Sequence, residues 1–255
     1  MFVAASTECF PDLSLQDAIQ KMVDLEFTFV EIAIHDDSNK LTPGQVLADL
    51  DQAIERCRQT HRVTPVAYVF DSRAEEEEYY AQFTAMCRLA KSTKVVSITV
   101  PSAELGTPFN AEVERLQRLV RIATVDGILI SVKTQVGRMS EDPGTLKVMC
   151  DNVSGLGVTL DPSHFIYEAQ GGPKVDPLTK IETLWKYVYH VQLRDTSRTE
   201  LQVRVGQGEV EYGRIVTQLE KQNYKRALCV DVAPTEGIDH FAEMRKLRLL
   251  LESLC

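Results

Sequence analysis

The feature that most constrains this chain is an eightfold alternation. Short β-branched runs recur at Phe2–Ser6, Phe29–Ile34, Val63–Phe70, Val95–Val100, Ile128–Lys133, Leu156–Leu160, Val188–Leu193 and Ala227–Val232, with longer amphipathic stretches between them. Strands that alternate with helices build parallel sheets, and eight such units in about 250 residues is the count of a (β/α)8 barrel. A doubly wound open sheet is the rival, weakened because no glycine-rich strand-to-helix turn occurs in the first half. No linker, low-complexity tract or composition shift divides the 255 residues, so one domain over 1–255 is expected. Helix starts agree with this reading: Ser14 precedes Leu15 with Asp17 three residues on, Thr42 precedes Pro43, and Ser72 precedes the acidic run 75–78.

The strands also alternate internally. In the second, Val30, Ile32 and Ile34 share one face and Glu31, Ala33 and His35 the other. Val96, Ile98 and Val100 oppose Ser97 and Thr99, and Ile130 and Val132 oppose Ser131 and Lys133. Val158 and Leu160 oppose Gly157, Thr159 and Asp161. Tyr189, Val191 and Leu193 oppose His190 and Gln192, and Leu228, Val230 and Val232 oppose Cys229 and Asp231. One set is apolar and suits a helical shell. The other is small or polar and becomes ionisable toward the C-terminal strand ends, where barrel enzymes place their sites. That many buried polar groups need partners or a ligand, which points to a polar pocket.

Composition narrows the partners. A net charge of −9 repels phosphate backbones, so nucleic acid is not expected. No apolar run approaches the roughly 18 residues of a membrane span, and the start lacks a basic leader. The six cysteines form no C-x-x-C pair and read as reduced thiols of a cytoplasmic protein.

Four segments carry a resemblance: Phe29-Val30-Glu31-Ile32; Leu160-Asp161-Pro162-Ser163-His164; His190-Val191-Gln192-Leu193-Arg194-Asp195; and Gly206-Gln207-Gly208-Glu209-Val210-Glu211-Tyr212. In this order the chain resembles the xylose isomerase-like TIM barrels over essentially its whole length. That group includes sugar isomerases, keto-sugar 3-epimerases, inosose-handling enzymes and endonuclease IV-type repair enzymes. The resemblance implies one divalent metal (Mn, Mg or Zn) held by a fifth-strand Glu, the Asp of D-x-x-H, a seventh-strand His and an eighth-strand Glu. Carboxylates would then move a proton beside a carbonyl that the metal clamps.

The chain departs from that set. Asp161 and His164 match, but the fifth-strand position holds Lys133, the ligand His reads Gln192 while the preceding His190 is kept, and the last Glu reads Asp231. A protonated lysine cannot ligate a metal. The expectation is therefore that Lys133 replaces the ion and neutralises Asp161 and Asp231, with no cofactor required. The alternative is a weak metal site of Asp161, His190, Gln192 and Asp231. A Schiff base on Lys133 is a further alternative, although carboxylates beside it would favour the ammonium.

The functional expectation is a sugar or polyol isomerase or epimerase acting on a small carbohydrate-like substrate. Lys133, Asp161, Asp231 and Glu31 are its candidate catalytic groups, and His164, His190, Gln192, Arg194 and His35 its candidate substrate contacts. A plain reading stands beside each: ion-pair partners for the carboxylates, a core histidine for His190, a loop-shaping role for Arg194, and a tight turn for Gly206 and Gly208. A non-catalytic sugar-binding barrel is the other functional reading, and the resemblance allows a homodimer.

Overall fold

A computed structural model describes residues 1–168 and 176–255. Eight parallel strands close in sequence order: β1 (Phe2–Ser6), β2 (Phe29–His35), β3 (Thr64–Asp71), β4 (Ser97–Val100), β5 (Leu129–Lys133), β6 (Leu156–Leu160), β7 (Val188–Leu193) and β8 (Ala227–Val230). The first and last strands pair from Phe2↔Ala227 to Ala5↔Val230. This is the (β/α)8 barrel, and the open-sheet rival is excluded.

The outward set is apolar for the expected reason. Val30, Ile32, Ile130, Val132, Val158 and Val191 are buried against the helical shell in one continuous core. Each such side chain contributes about 1.5–3 kcal/mol when it leaves water. Helices start as the sequence indicates. Ser14 Oγ accepts from the Asp17 N–H ahead of Leu15–Asp24, and Thr42 and Gln45 form a reciprocal cap ahead of Pro43–Ala48. Before Glu76–Thr93 the cap position is Glu75, three residues beyond the expected Ser72. Ser72 turns instead to Gln82, its hydroxyl donating to Oε1 at 2.6 Å.

Two strands depart from strict alternation. β4 begins at Ser97, and Val96, expected on the helix-facing side, is half exposed. β7 carries a bulge: Val188 pairs with Val158 and His190 with Thr159, leaving Tyr189 as the extra residue. The Tyr189 ring then lies where a Cβ on Gly157 would project, 2.1 Å from it, so Tyr189 fills the space that Gly157 leaves. Among the described residues no helix is long and apolar enough to cross a membrane.

Candidate active site

The barrel interior is polar in two tiers. In the lower one Thr99 and Ser131 both share hydrogen bonds with the Thr159 hydroxyl, at 2.7 and 2.6 Å. Beside them Glu31 is wholly enclosed. Its Oε1 accepts from Gln192 Nε2 at 2.7 Å and lies 3.7 Å from Cys229 Sγ, and its Oε2 lies 2.6 Å from His190 Nε2. That last contact lies off the line of a hydrogen bond. Gln192 Oε1 is buried without a partner.

The upper tier is an ion cluster at the C-terminal ends of β5 to β8. Asp161, just past β6, accepts from the Ser163 N–H and hydroxyl with Oδ1. Its Oδ2 faces His164 Nε2 at 3.4 Å and Arg194 Nη2 at 3.1 Å. The same Arg194 nitrogen reaches Asp231 Oδ2 at 2.6 Å, and Lys133 Nζ stands 3.3 Å from that oxygen. Asp231 follows β8 and is placed by its own N–H, which donates to the Leu193 carbonyl. His164 Nδ1 accepts from the Val136 N–H at 3.2 Å, so the ring proton sits on Nε2, facing Asp161.

Burial alone would push the Asp161 carboxyl up, but Arg194, then His164 and Lys133, reverse this and hold it far below the ordinary carboxylate range. Asp231 is likewise lowered against its burial, by Lys133 and then Arg194. Neither carboxylate takes up a proton near neutral pH. The mouth itself is accessible: the Lys133, Arg194 and Asp231 side chains are 21%, 14% and 10% exposed. Two cavities open at this face, one of about 480 Å³ beside Phe165 and Arg198 and one of about 350 Å³ beside Asp71, Ser102 and Arg138. Neither is lined by the cluster itself.

In the upper tier two side-chain cations stand beside the carboxylates that the resemblance assigns to a divalent ion. The guanidinium stands between Asp161 and Asp231, and together with the Lys133 ammonium it balances their two charges. The deeper donors Glu31, His190 and Cys229 lie within 4.8 Å of one another.

The sequence candidates thus fall into two groups and an outlier. Lys133, Asp161, Asp231, Arg194 and His164 meet at the mouth, and Glu31, His190 and Gln192 meet below it. Lys133, expected to neutralise both aspartates, contacts Asp231 and lowers Asp161 only from a distance, while Arg194, a candidate substrate contact with a loop-shaping role as its plain reading, bridges the two. Asp231 and Asp161 therefore do not share a ligand set with His190 and Gln192, which face Glu31. Gly206 and Gly208 make a tight loop whose N–H groups hold the Asp195 carboxylate, at 2.7 and 3.1 Å.

His35 stands apart, at the end of β2, with Glu8 Oε1 3.3 Å from its Nε2. Glu8 and the buried Lys40 beside it were not singled out from the sequence. Glu8 follows β1 inside a short Thr7–Cys9 turn, and Lys40 sits in the polar run Asp36-Asp37-Ser38-Asn39 that reads as solvated loop.

The sequence matches the family model described as "Xylose isomerase-like TIM barrel" over residues 19–248. No curated protein matches it closely enough to serve as a relative. Among solved structures, a xylose isomerase-like TIM barrel protein from Mycobacterium smegmatis in complex with magnesium superposes with a TM-score of 0.76 at 14% identity, covering 99% of this chain and 97% of that one. D-allulose 3-epimerase from Methylomonas sp. gives 0.75 at 12% identity, covering 100% and 98%. The probable 3-DHS dehydratase from Bacillus anthracis gives 0.74 at 14%, covering 99% and 99%. At these identities the likeness is one of fold.

Proposed function

The chain belongs to the xylose isomerase-like TIM barrel family, and on that premise we propose that it is a sugar or polyol isomerase that moves a proton beside a carbonyl without a divalent ion. The observation that carries this reading is the Arg194 guanidinium between Asp161 and Asp231, with the Lys133 ammonium on the same Asp231 oxygen. Lys133 brings three donors and spends one on Asp231, so the others can hold a carbonyl oxygen as it becomes an enolate. His164 has both ring nitrogens engaged, by Val136 and Asp161, and its part is to position Asp161. Gln192, held by Glu31 through its amide nitrogen, is enclosed with an unpartnered Oε1 and forms the polar floor beneath the mouth. Glu31 is enclosed, so its role in this reading is to fix Gln192 rather than to touch substrate. The partner is a small polyhydroxylated molecule in the cytoplasm, and pairing into a homodimer belongs to the same proposal.

Incubation in D2O with a set of aldoses, ketoses and inososes tests this by NMR. Deuterium should enter the carbon next to the carbonyl at a rate unchanged by chelator. Exchange that chelator abolishes and manganese restores would favour the metal-dependent alternative. A second reading, a non-catalytic sugar-binding barrel, draws on the locked state of Asp161 and Asp231; thermal stabilisation by a sugar with no exchange would select it.

A further inference from the structure

With Asp161 and Asp231 held ionised, the β5–β8 side of the mouth lacks a carboxylate that changes protonation near neutral pH. The β1–β2 side supplies an imidazole instead. The β1–β2 ladder ends at Ser6↔Glu31, and beyond it the Ala33 N–H donates to Thr7 Oγ1 at 2.9 Å. This tie carries both chain ends upward together, so that Glu8 meets His35, Oε1 to Nε2 at 3.3 Å. Lys40 Nζ, its side chain 1% exposed, stands 3.7 Å from the same Glu8 oxygen and donates to the Pro11 carbonyl at 3.3 Å. The loop that delivers it is fastened by the Ser38 N–H on the His35 carbonyl and by Arg56 on the Lys40 carbonyl. A buried ammonium is costly to hold unless it serves a partner, and this one serves a carboxylate whose other partner is a quarter-exposed imidazole. His35 shares the inward face of β2 with Glu31, and among the described residues nothing bonds its Nδ1.

We propose that His35 is the catalytic proton carrier of this site, that Glu8 is its positioning residue, and that Lys40 is the buried counter-charge holding Glu8. The proposal rests on the isomerase reading and narrows it. Neutral His35 takes the proton from the carbon beside the carbonyl. The C–H bond breaks, an N–H bond forms on Nδ1, and the electron pair moves onto the carbonyl oxygen, which Lys133 holds. The imidazolium, facing Glu8, returns the proton to the former carbonyl carbon. A hydroxyl proton crosses from the neighbouring oxygen to the former carbonyl oxygen, so nothing is gained or lost. One carrier on one face moves hydrogen between adjacent carbons, which makes aldose–ketose interconversion the reaction class. Inversion at a single carbon would need a second group opposite.

The charged groups facing His35 are Glu8, Lys40 and Asp71, its β3 partner in register. The Glu8 contact raises the imidazole above its ordinary value, against the effect of burial. Rates that need neutral His35 therefore fall as pH drops through that raised value.

Because Glu8→Gln alone strands the buried ammonium, the informative variant is Glu8→Gln with Lys40→Met, compared with His35→Gln. In an NMR titration of the five histidine rings, the signal missing from His35→Gln should titrate above the ordinary value in wild type and return toward or below it in the double variant. Exchange in D2O should fall about 10²–10⁴-fold in His35→Gln with KM within a few-fold. In the double variant the acid limb of kcat/KM should move to lower pH together with the ring. Wild-type exchange that survives in His35→Gln, or an acid limb that stays put while the ring moves, overturns this role alone. Wild-type protein that binds sugars and exchanges none overturns the isomerase reading with it.

Discussion

Arg194→Met should cost about 3–5 kcal/mol of stability at neutral pH, read by urea denaturation, because it removes one partner of a buried ion pair and leaves the others uncompensated. Asp161 is fully enclosed and Asp231 nearly so, and Arg194 Nη2 reaches both, at 3.1 and 2.6 Å. Without it two carboxylates share a desolvated site with Lys133 on only one of them. Such a pair resists double ionisation, and one member takes up a proton.

The pH dependence follows with a definite sign. In wild type both carboxyls are depressed on folding. They contribute stability that is complete above the unfolded value of about 3.9 and is lost as pH falls through their folded values. In Arg194→Met the pair must instead gain a proton on folding, which becomes easier as pH falls. The gap between the two proteins should be widest near neutral pH and narrow toward pH 4. Adding Asp161→Asn should recover part of the loss, a non-additivity expected of residues in one network. A pH-independent gap would mean that the guanidinium is not the counter-ion of this pair.

Lys133→Met separates chemistry from stability. The ammonium makes one carboxylate contact at 3.3 Å, its side chain is a fifth exposed, and Asp231 keeps Arg194 without it. Asp231 nonetheless loses its larger counter-charge, so stability should fall by about 1–3 kcal/mol, less than in Arg194→Met. Exchange in D2O should fall about 10²–10³-fold, the loss typical of removing a donor aimed at a developing oxyanion. A variant that exchanges within threefold of wild type would remove Lys133 from the chemistry and leave it an ion-pair partner.

The barrel was legible because an inward-outward period of two repeats in nearly every strand, and a register slip would turn the apolar set into the polar interior. The same period locates much of the mouth: Lys133 and Asp161 close their inward series, and Asp231 continues the series of β8. Arg194 also obeys it, following His190 and Gln192 at steps of two, but it lies one residue beyond β7 and so read as loop. The bulge at Tyr189 was not legible, since an extra residue in one strand is defined only against its partner. Nor was the Glu8–His35–Lys40 group. Glu8 and His35 are 27 residues apart, and what joins them is the Thr7–Ala33 tie and the packing that buries Lys40 in a run of polar residues.

The most direct measurement is a calorimetric titration of manganese into chelator-stripped protein, with Lys133→Glu and Lys133→Glu/Arg194→Ala alongside. If Arg194 and Lys133 fill the place of an ion, wild type shows no stoichiometric binding, and a site appears once carboxylate replaces the ammonium and the guanidinium is gone. Tight one-to-one binding of manganese by wild type would contradict this, and the barrel would then be an ordinary metal-binding member of its family.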